Sequence, residues 1–461
     1  MDWARHVVSQ QREFFLSGAT RSVAFRRLQL ERLLQALDLH AEALILALQA
    51  DLRRPAAEAW FSEIGMVQAE IRYALRCLDR WTRPRSRRIP WWLRPGHAWV
   101  QPEPLGVVLI LGAWNYPVQL LLVPLVSAVA AGNCVILKPS EHAPRTSEVL
   151  TRMIRLTYPE SYVAICPGDR SVAAALLQER YDKIFFTGSC EAGRAVMAAA
   201  ARHLTPVTLE LGGQCPCVVC PDAAVATAAR RIAWGKFTNA GQTCVAPDHV
   251  WVHRSILEPF TLALVQAVRS FYGPDPRQSP DYGRIVDRQH LERLISFLHP
   301  GRILLGGQWD TETLYLAPTL LTDVPAEAPV LQQEIFGPIL PILIYDELDV
   351  LLQRMSNKPS PLTVYLFTRQ RSMQEKVLHR TRSGNVCIND VIVHLLAREL
   401  PFGGLGESGM GSYHGRAGFD NFTHYRSILY RRSFPDLGFR YPPYRFSLET
   451  LRRWSRWLLR D

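Results

Sequence analysis

The sequence predicts an α/β protein in which parallel sheets are wrapped on both faces by helices. Three observations predict it. From residue 106 onward, short apolar runs alternate with helical patterns, the order expected when each strand feeds a crossover helix. The runs are continuously apolar, as in 107–111, which suits strands buried on both faces. After Gly213 the alternation begins again and continues to about residue 400, so a second α/β unit follows the first.

A chain of 461 residues has room for two or more domains. Its 48% hydrophobic and 21% charged content excludes a disordered or fibrous chain. Nine irregularly spaced cysteines do not form the tight framework of a small secreted domain, so reduced thiols and a cytoplasmic setting are expected. Met1-Asp2-Trp3-Ala4-Arg5 lacks a signal-peptide pattern. The most apolar stretch, 120–131, is interrupted by Pro124 and Ser127 and is too short to span a bilayer; it reads as a buried helix. The formal charge of +11 attracts anions, but no zinc-finger spacing or RNA-binding motif points to nucleic acid.

Taken in order, residues 1–80 carry leucines at helical spacing and read as scaffold helices. Residues 83–96 hold prolines and a run of arginines around Trp91 and Trp92, which excludes a regular helix. That segment is either a solvated linker or strand, or a basic patch at a membrane surface. Strands follow at 107–111, 134–137, 162–166, 183–186 and 207–211, with helices between them. In the second unit, strands are expected at 218–219, 250–252, 314–321, 339–344, 363–367 and 385–388. Helices are expected at 223–237, 257–271, 348–355 and 373–380.

Ligands of such sheets sit at the carboxyl ends of the strands. Asn115, Lys138, Glu141, Thr187-Gly188-Ser189 and Glu210 all fall at such ends. Thr187-Gly188-Ser189-Cys190 turns into an alanine-rich helix; the turn suits a phosphate or simple packing, and it is not the G-x-G-x-x-G fingerprint. Glu210 ends a strand just before Gly212 and Gly213, and Cys244 lies in a loop of small and polar residues. A nucleophile and a candidate base on connecting segments suggest covalent catalysis. Cys215, Cys217 and Cys220 lack a second ligand pair, so no metal site is expected and they read as buried small residues. Residues 401–411 are glycine-dense but lack the ending of a phosphate loop; they read as backbone packing near a substrate mouth.

Eight segments in matching order resemble the aldehyde dehydrogenase superfamily: Pro104-Leu105-Gly106-Val107, Trp114-Asn115-Tyr116-Pro117, Lys138-Pro139-Ser140-Glu141, Phe186-Thr187-Gly188-Ser189, Leu209-Glu210-Leu211-Gly212-Gly213, Gly241-Gln242-Thr243-Cys244, Glu334-Ile335-Phe336-Gly337-Pro338 and Pro401-Phe402-Gly403-Gly404. The resemblance spans roughly 9–433. Details such as Gly411-Ser412-Tyr413-His414-Gly415 are most similar to class 3, whose members oxidise fatty and aromatic aldehydes. It implies a Rossmann-like cofactor domain, an α/β catalytic domain and a small bridging subdomain. The corresponding divisions are 1–82 with 103–210, then 211–400, then 83–102 with 401–432, leaving 433–461 as a basic aromatic tail.

The resemblance also implies the chemistry. Cys244 would attack the aldehyde to form a thiohemiacetal, Asn115 and the Cys244 amide would hold the oxyanion, and Glu210 would act as general base for the thiol, the deacylating water or both. Lys138 and Glu141 would contact the adenosine ribose of NAD or NADP, Ser189 the pyrophosphate, and Glu334 with Phe336 the nicotinamide ribose. Trp114, Thr187, Gly188, Gly193 and Leu211 would line the same site. Glu141 favours NAD over NADP by charge. Glu191 and Gln214 depart from the common class 3 residues, and Trp60 and Phe61 stand where a class 3 tyrosine lines the pocket. A homodimer is implied, with 83–102 and the region after Gly403 at its interface.

In the tail, Leu448, Leu451, Trp454 and Leu458 share one helical face, with Arg452, Arg453, Arg456 and Arg460 mostly elsewhere. The segment 447–461 has two readings: docking on its own or a partner subunit, or peripheral attachment to a membrane that delivers a lipophilic substrate such as a fatty aldehyde or apocarotenal. Competing functions are a coenzyme-A-acylating relative, which Glu210 argues against, and a non-enzymatic membrane-associated relative, which the intact Cys244, Glu210 and Asn115 disfavour. A cysteine hydrolase using His249 is remote because His249 begins a strand.

Overall fold

The computed structural model describes residues 2–436 and 438–458. The chain opens with helices Asp2–Leu16, Val23–Leu52 and Gly65–Thr82. A short helix, Ala56–Ala59, and a π-helical turn, Trp60–Ile64, join the last two. Val23–Leu52 has the length and apolarity of a membrane span, yet it belongs to the core. Its Leu30, Leu33, Leu37, Leu44, Leu48 and Leu52 are fully buried, and it packs on helices Gly65–Thr82 and Pro144–Thr157. Helix Gln119–Ala131 is buried along its whole length, as its composition predicts.

The first sheet runs Gly409–Met410, Val207–Glu210, Lys183–Thr187, Val107–Leu111, Cys134–Lys138, Val163–Ile165. Its last five strands are mutually parallel. The chain builds outward from Val107–Leu111 through two strands, then crosses back to add Lys183–Thr187 on the other side. That reversal opens a crevice at the carboxyl ends of Val107–Leu111 and Lys183–Thr187, where crossover loops leave in opposite directions.

The second sheet has seven strands, ordered Arg302–Leu305, Thr319–Thr322, Ile339–Tyr345, His249–His253, Pro216–Val219, Thr363–Phe367, Asn385–Ile388. All are parallel except the antiparallel edge Arg302–Leu305. The strand expected at 314–321 is two strands. Tyr315–Leu316 pairs with Trp309–Asp310, and Thr319–Thr322 joins the large sheet. Pro318 lies between them and has no N–H to donate to a ladder.

A third, antiparallel sheet joins Arg85–Arg87, Gly96–Pro104 and Thr423–Arg431. The segment 83–102 therefore enters a long strand rather than remaining a linker, because Thr423–Arg431 pairs with it from Pro104 back to Gly96. Cys215, Cys217 and Cys220 are buried in or beside Pro216–Val219, and all nine cysteines are free. The glycine-dense loop packs on the first sheet: Gly409 pairs with Glu210, and a Cβ on Gly409 would lie 2.2 Å from the Leu209 carbonyl.

The tail forms helix Leu448–Leu458. Leu448 and Leu451 are exposed, and Phe446 packs on Trp454 at 4.9 Å. The side chain of Leu458, together with Arg460 and Asp461, lies outside the described residues.

Candidate active site

Glu210 is the last residue of its strand and pairs with Thr187 on one side and Gly409 on the other. Its side chain is buried, and neither carboxylate oxygen has a hydrogen-bond partner. Burial therefore holds the carboxyl well above the usual carboxylate range. Such an orphaned buried carboxyl is costly for stability and suits a proton carrier.

Cys244 follows helix Val225–Phe237 and a short turn, Thr238–Gly241. Asn239 and Ala240 adopt left-handed φ values of 52° and 50° in that turn. Gly241 also has positive φ, and a Cβ there would lie 2.3 Å from the Gly337 carbonyl, so the loop closes on 334–338 only with glycine. Cys244 is half-buried. Its thiol is pushed up to about 12 by burial, then by the Glu334 and Glu210 carboxylates, while the Cys244 and Val245 amides pull the other way. A thiol so placed is neutral at rest and needs a base to become a nucleophile.

Asn115 lies on the loop after Val107–Leu111 and is buried. Its Nδ2 donates to the Gln242 carbonyl at 3.2 Å, two residues before the cysteine, leaving a second N–H. Its own carbonyl accepts from Asn239 Nδ2 at 3.0 Å and from Arg54 Nη2. Tyr116 and Thr243 share a hydrogen bond of 2.7 Å between the same two loops. The predicted trio thus converges from both sheets.

Sequence reasoning missed the residues behind Asn115. Arg54 and Glu63 form an ion pair with no exposed surface, and Glu63 Oε2 accepts from the amides of Val118 and Gln119 at 3.0 and 2.8 Å. Burial pushes the Glu63 carboxyl up to about 7, against the pull of Arg54 and those amides. Their only sequence signal was two charges flanking a short stretch, 55–62, in a helical region, and charges so spaced are ordinary for a solvated face.

Lys138 is buried and pairs with Glu141, whose carboxyl is partly desolvated yet held low by that hydrogen bond. Beside them opens a cleft of about 700 Å³ bounded by Glu141, Ser147, Arg152, Arg155 and Asp169. Ser189 caps helix Cys190–Ala201, its hydroxyl accepting from the Ala192 amide at 3.3 Å. A second cleft of about 870 Å³ is bounded by Cys190, Gly212, Gln214, Glu334 and Lys358. A Cβ on Gly193 would lie 2.7 Å from Leu211, and one on Gly212 would collide with the Glu334 carboxylate at 2.0 Å. Gln214 accepts from Lys358 Nζ at 3.3 Å and donates to the Gln333 carbonyl at 3.0 Å, tying the glycine turn to the Glu334 loop.

Phe336, at φ 48°, meets Trp114 edge-on at 5.4 Å. Cys244 lines neither cleft, but Glu334 faces both places: it bounds the second cleft, and its charge acts on the thiol. Burial pushes the Glu334 carboxyl up to about 8. Thr187 Oγ1 and Glu334 Oε1 are buried without partners. A helix N-terminus opening on the second cleft, with an orphaned hydroxyl at Thr187 and an orphaned carboxyl oxygen at Glu334, suits the phosphates and a ribose of a dinucleotide. Trp60 and Phe61 are both exposed on the π-helical turn. His249 begins its strand beside Asp248, at 3.3 Å, and no described hydrogen bond joins it to Cys244.

The aldehyde dehydrogenase family profile matches residues 3–428. The chain belongs to the aldehyde dehydrogenase family. The enzyme is 44% identical over 448 residues to aldehyde dehydrogenase family 3 member B1 of Rattus norvegicus, covering 96% of this chain and 95% of the relative. It is 41% identical to the 4,4'-diaponeurosporen-aldehyde dehydrogenase of Staphylococcus aureus, over 94% of this chain and 95% of that protein. It is also 41% identical to the dimeric NADP-preferring aldehyde dehydrogenase of Mus musculus, over 95% and 97% of the two chains. A solved structure, the substrate-bound state of Staphylococcus aureus AldH, superposes with a TM-score of 0.95 at 39% identity, covering 98% of this chain and 99% of that one. The enzyme is an oxidoreductase that oxidises aldehydes with NAD or NADP.

Proposed function

We propose that this aldehyde dehydrogenase acts on medium- or long-chain lipophilic aldehydes, such as a fatty aldehyde or an apocarotenal, using Cys244, Glu210 and Asn115. The observation that carries the assignment of residues is the meeting of a neutral, half-buried thiol with an unpartnered buried carboxyl and a buried amide donor. Glu210 takes the thiol proton as Cys244 Sγ bonds to the aldehyde carbon, giving a thiohemiacetal. The free N–H of Asn115 and the Cys244 amide hold the negative oxygen. A bound dinucleotide would supply the hydride acceptor, with the acyl group held as a thioester on Cys244. Glu210, once it has passed the thiol proton to solvent, deprotonates the water that attacks the thioester, and Cys244 leaves as the thiolate when the carboxylic acid is released. Glu334 and Phe336 position the nicotinamide ribose, Ser189 the pyrophosphate, and Lys138 with Glu141 the adenosine ribose. Trp114, Thr187, Gly188, Gly193 and Leu211 line that track.

A lipophilic substrate is supported by the relative named as a 4,4'-diaponeurosporen-aldehyde dehydrogenase and by the exposed Leu448 and Leu451 on helix Leu448–Leu458. The test is NADH production along a series from propanal to decanal. We expect kcat/KM to rise about tenfold or more across the series, since each buried methylene contributes about 0.8 kcal/mol. A flat or falling series overturns the lipophilic assignment.

The division into a cofactor unit (1–82 with 103–210), a catalytic unit (211–400) and bridging segments (83–102 with 401–432) is our reading of the three sheets. A homodimer through the antiparallel arm is supported by the dimeric relative and by exposed Trp91, Leu429 and Tyr430. We assign 447–461 to the surface of an anionic membrane, with the protein otherwise cytoplasmic, because arginines flank an apolar helix face on which Leu448 and Leu451 are exposed. Deleting 447–461 is expected to release the protein from anionic liposomes while activity on propanal survives. Unchanged partitioning into the liposome pellet overturns the assignment.

Glu141 repels a ribose 2′-phosphate, so NAD is the favoured cofactor. In Glu141→Gln the ratio of kcat/KM for NADP to that for NAD is expected to rise about tenfold, as losing one partly screened repulsion implies. An unchanged ratio removes Glu141 from cofactor choice.

A further inference from the structure

The connection between helices Val23–Leu52 and Gly65–Thr82 does more than close a loop. It inserts two charged side chains, Arg54 and Glu63, into a fully buried position behind Asn115. A buried ion pair is rarely a net stabiliser, because desolvation offsets the attraction. Its presence therefore calls for another reason, and the hydrogen bonds supply one. Arg54 spreads its fork between two partners, with Nη1 on Glu63 Oε1 and Nη2 on the Asn115 carbonyl. The guanidinium also sits 4.6 Å from the centre of the Tyr116 ring. Glu63 uses its other oxygen to accept from the Val118 and Gln119 amides, where the helix after the Asn115 loop begins. The Trp114-Asn115-Tyr116-Pro117 loop is thus held at its carbonyl, at its aromatic ring and at its exit. The π-helical turn Trp60–Ile64 carries Glu63, a distortion that recurs at functional sites.

Asn239 completes the arrangement from the cysteine side. Its Nδ2 bridges the Asn115 and Gln242 carbonyls at 3.0 and 3.1 Å, and its own amide donates to Glu58 at 2.7 Å. The Asn115 carbonyl therefore carries one charged and one neutral donor, which fixes the peptide from which the Asn115 side chain reaches toward Cys244.

We propose that Arg54 and Glu63 are positioning residues of the oxidation reaction, acting through Asn115 by holding its peptide where the side-chain N–H meets the oxyanion. This rests on the assignment of Asn115 as oxyanion donor. Neither residue touches the aldehyde. A donor displaced by a fraction of an ångström stabilises the oxyanion less, while the substrate and dinucleotide still bind.

The test is a cycle of full-length variants. Arg54→Met with Glu63→Gln removes both charges together, so neither member of the pair is left facing a lost partner. We expect its kcat to fall about 10- to 100-fold, with the NAD dissociation constant unchanged within about twofold. Hydrolysis of 4-nitrophenyl acetate, which acylates Cys244 without a cofactor, should fall by a similar factor. Arg54→Lys keeps a cation with several donors and should recover most of the loss. Asn115→Ala alone should fall about 100-fold or more, and adding the paired substitution to it should cost little further, because both act through one group.

Multiplied losses in the combined variant, or a wild-type kcat in the paired variant, overturn the positioning role while leaving the Asn115 assignment standing. A wild-type kcat in Asn115→Ala overturns that assignment itself. Should the paired variant fail to fold, Glu63→Gln alone is the second probe. There we expect about a fivefold loss of kcat at unchanged NAD affinity, and an unchanged kcat overturns the proposal.

Discussion

Cys244→Ala is expected to bind NAD normally and to lose aldehyde oxidation by about 10⁴-fold or more in kcat, the scale seen when a covalent nucleophile is removed. The physical basis is the location of the thiol. Eight other cysteines are present, but Cys134, Cys166, Cys215, Cys217, Cys220 and Cys387 are buried, Cys77 lies on helix Gly65–Thr82, and Cys190 starts the helix at the second cleft, its thiol raised by burial and by the Glu334 and Glu407 carboxylates. Cys215 is the nearest competitor by contact, its Sγ donating to the Cys244 carbonyl at 3.3 Å, yet it has no exposed surface. Its thiol is held well above its ordinary range by full burial. Cys244 is partly exposed, with the Glu334 and Glu210 carboxyl groups acting on its sulfur and the Asn115 loop bonded to its own loop. Steady-state NADH production and trapping of an acyl-enzyme by mass spectrometry check this. Residual turnover above about 1% with a trapped acyl group on Cys215 would move the nucleophile.

Glu210→Gln should lower kcat by about 10²- to 10⁴-fold, the range of a positioned general base, and should remove a pH-dependent limb. Burial raises the Glu210 carboxyl, so it keeps its proton to higher pH than an exposed glutamate and loses it as pH rises further. Because only the ionised form accepts a proton, wild-type kcat should climb with pH and the glutamine variant should lack that climb. A variant that keeps both the rate and the slope would remove Glu210 from the mechanism.

The same shift has an opposite consequence for stability. A carboxyl whose folded pKa exceeds its unfolded value binds more protons folded than unfolded, so its contribution falls as pH rises from the unfolded pKa through the folded one. The melting temperature of Glu210→Gln should therefore gain on wild type as pH increases. The enzyme keeps an unpartnered carboxyl at the end of a central strand, where a neutral side chain would be more stable.

Much of the architecture was legible because its signals are local. The run 107–111 became Val107–Leu111, and 363–367 and 385–388 became Thr363–Phe367 and Asn385–Ile388. Continuous apolar residues bounded by turns demand burial on both faces, whatever their neighbours. The divided strand at 314–321 and the partner of 96–104 were less legible. One hinges on where Pro318 falls in a ladder, and the other on a segment more than three hundred residues away.

The sequence by itself determined the chemical groups and the strand ends that carry them. Glu210 and Cys244 sit in short motifs of glycine and small residues, whose backbone requirements are written within a few positions. Only the tertiary structure decided how those groups are held. Gly212 yields space to a carboxylate at 334, Gly241 yields space to a carbonyl at 337, and Asn115 is gripped by an arginine 61 positions earlier. Such contacts join residues that share no local pattern. A buried arginine and a solvated one look alike in sequence, because only the packed chain removes the water from one of them.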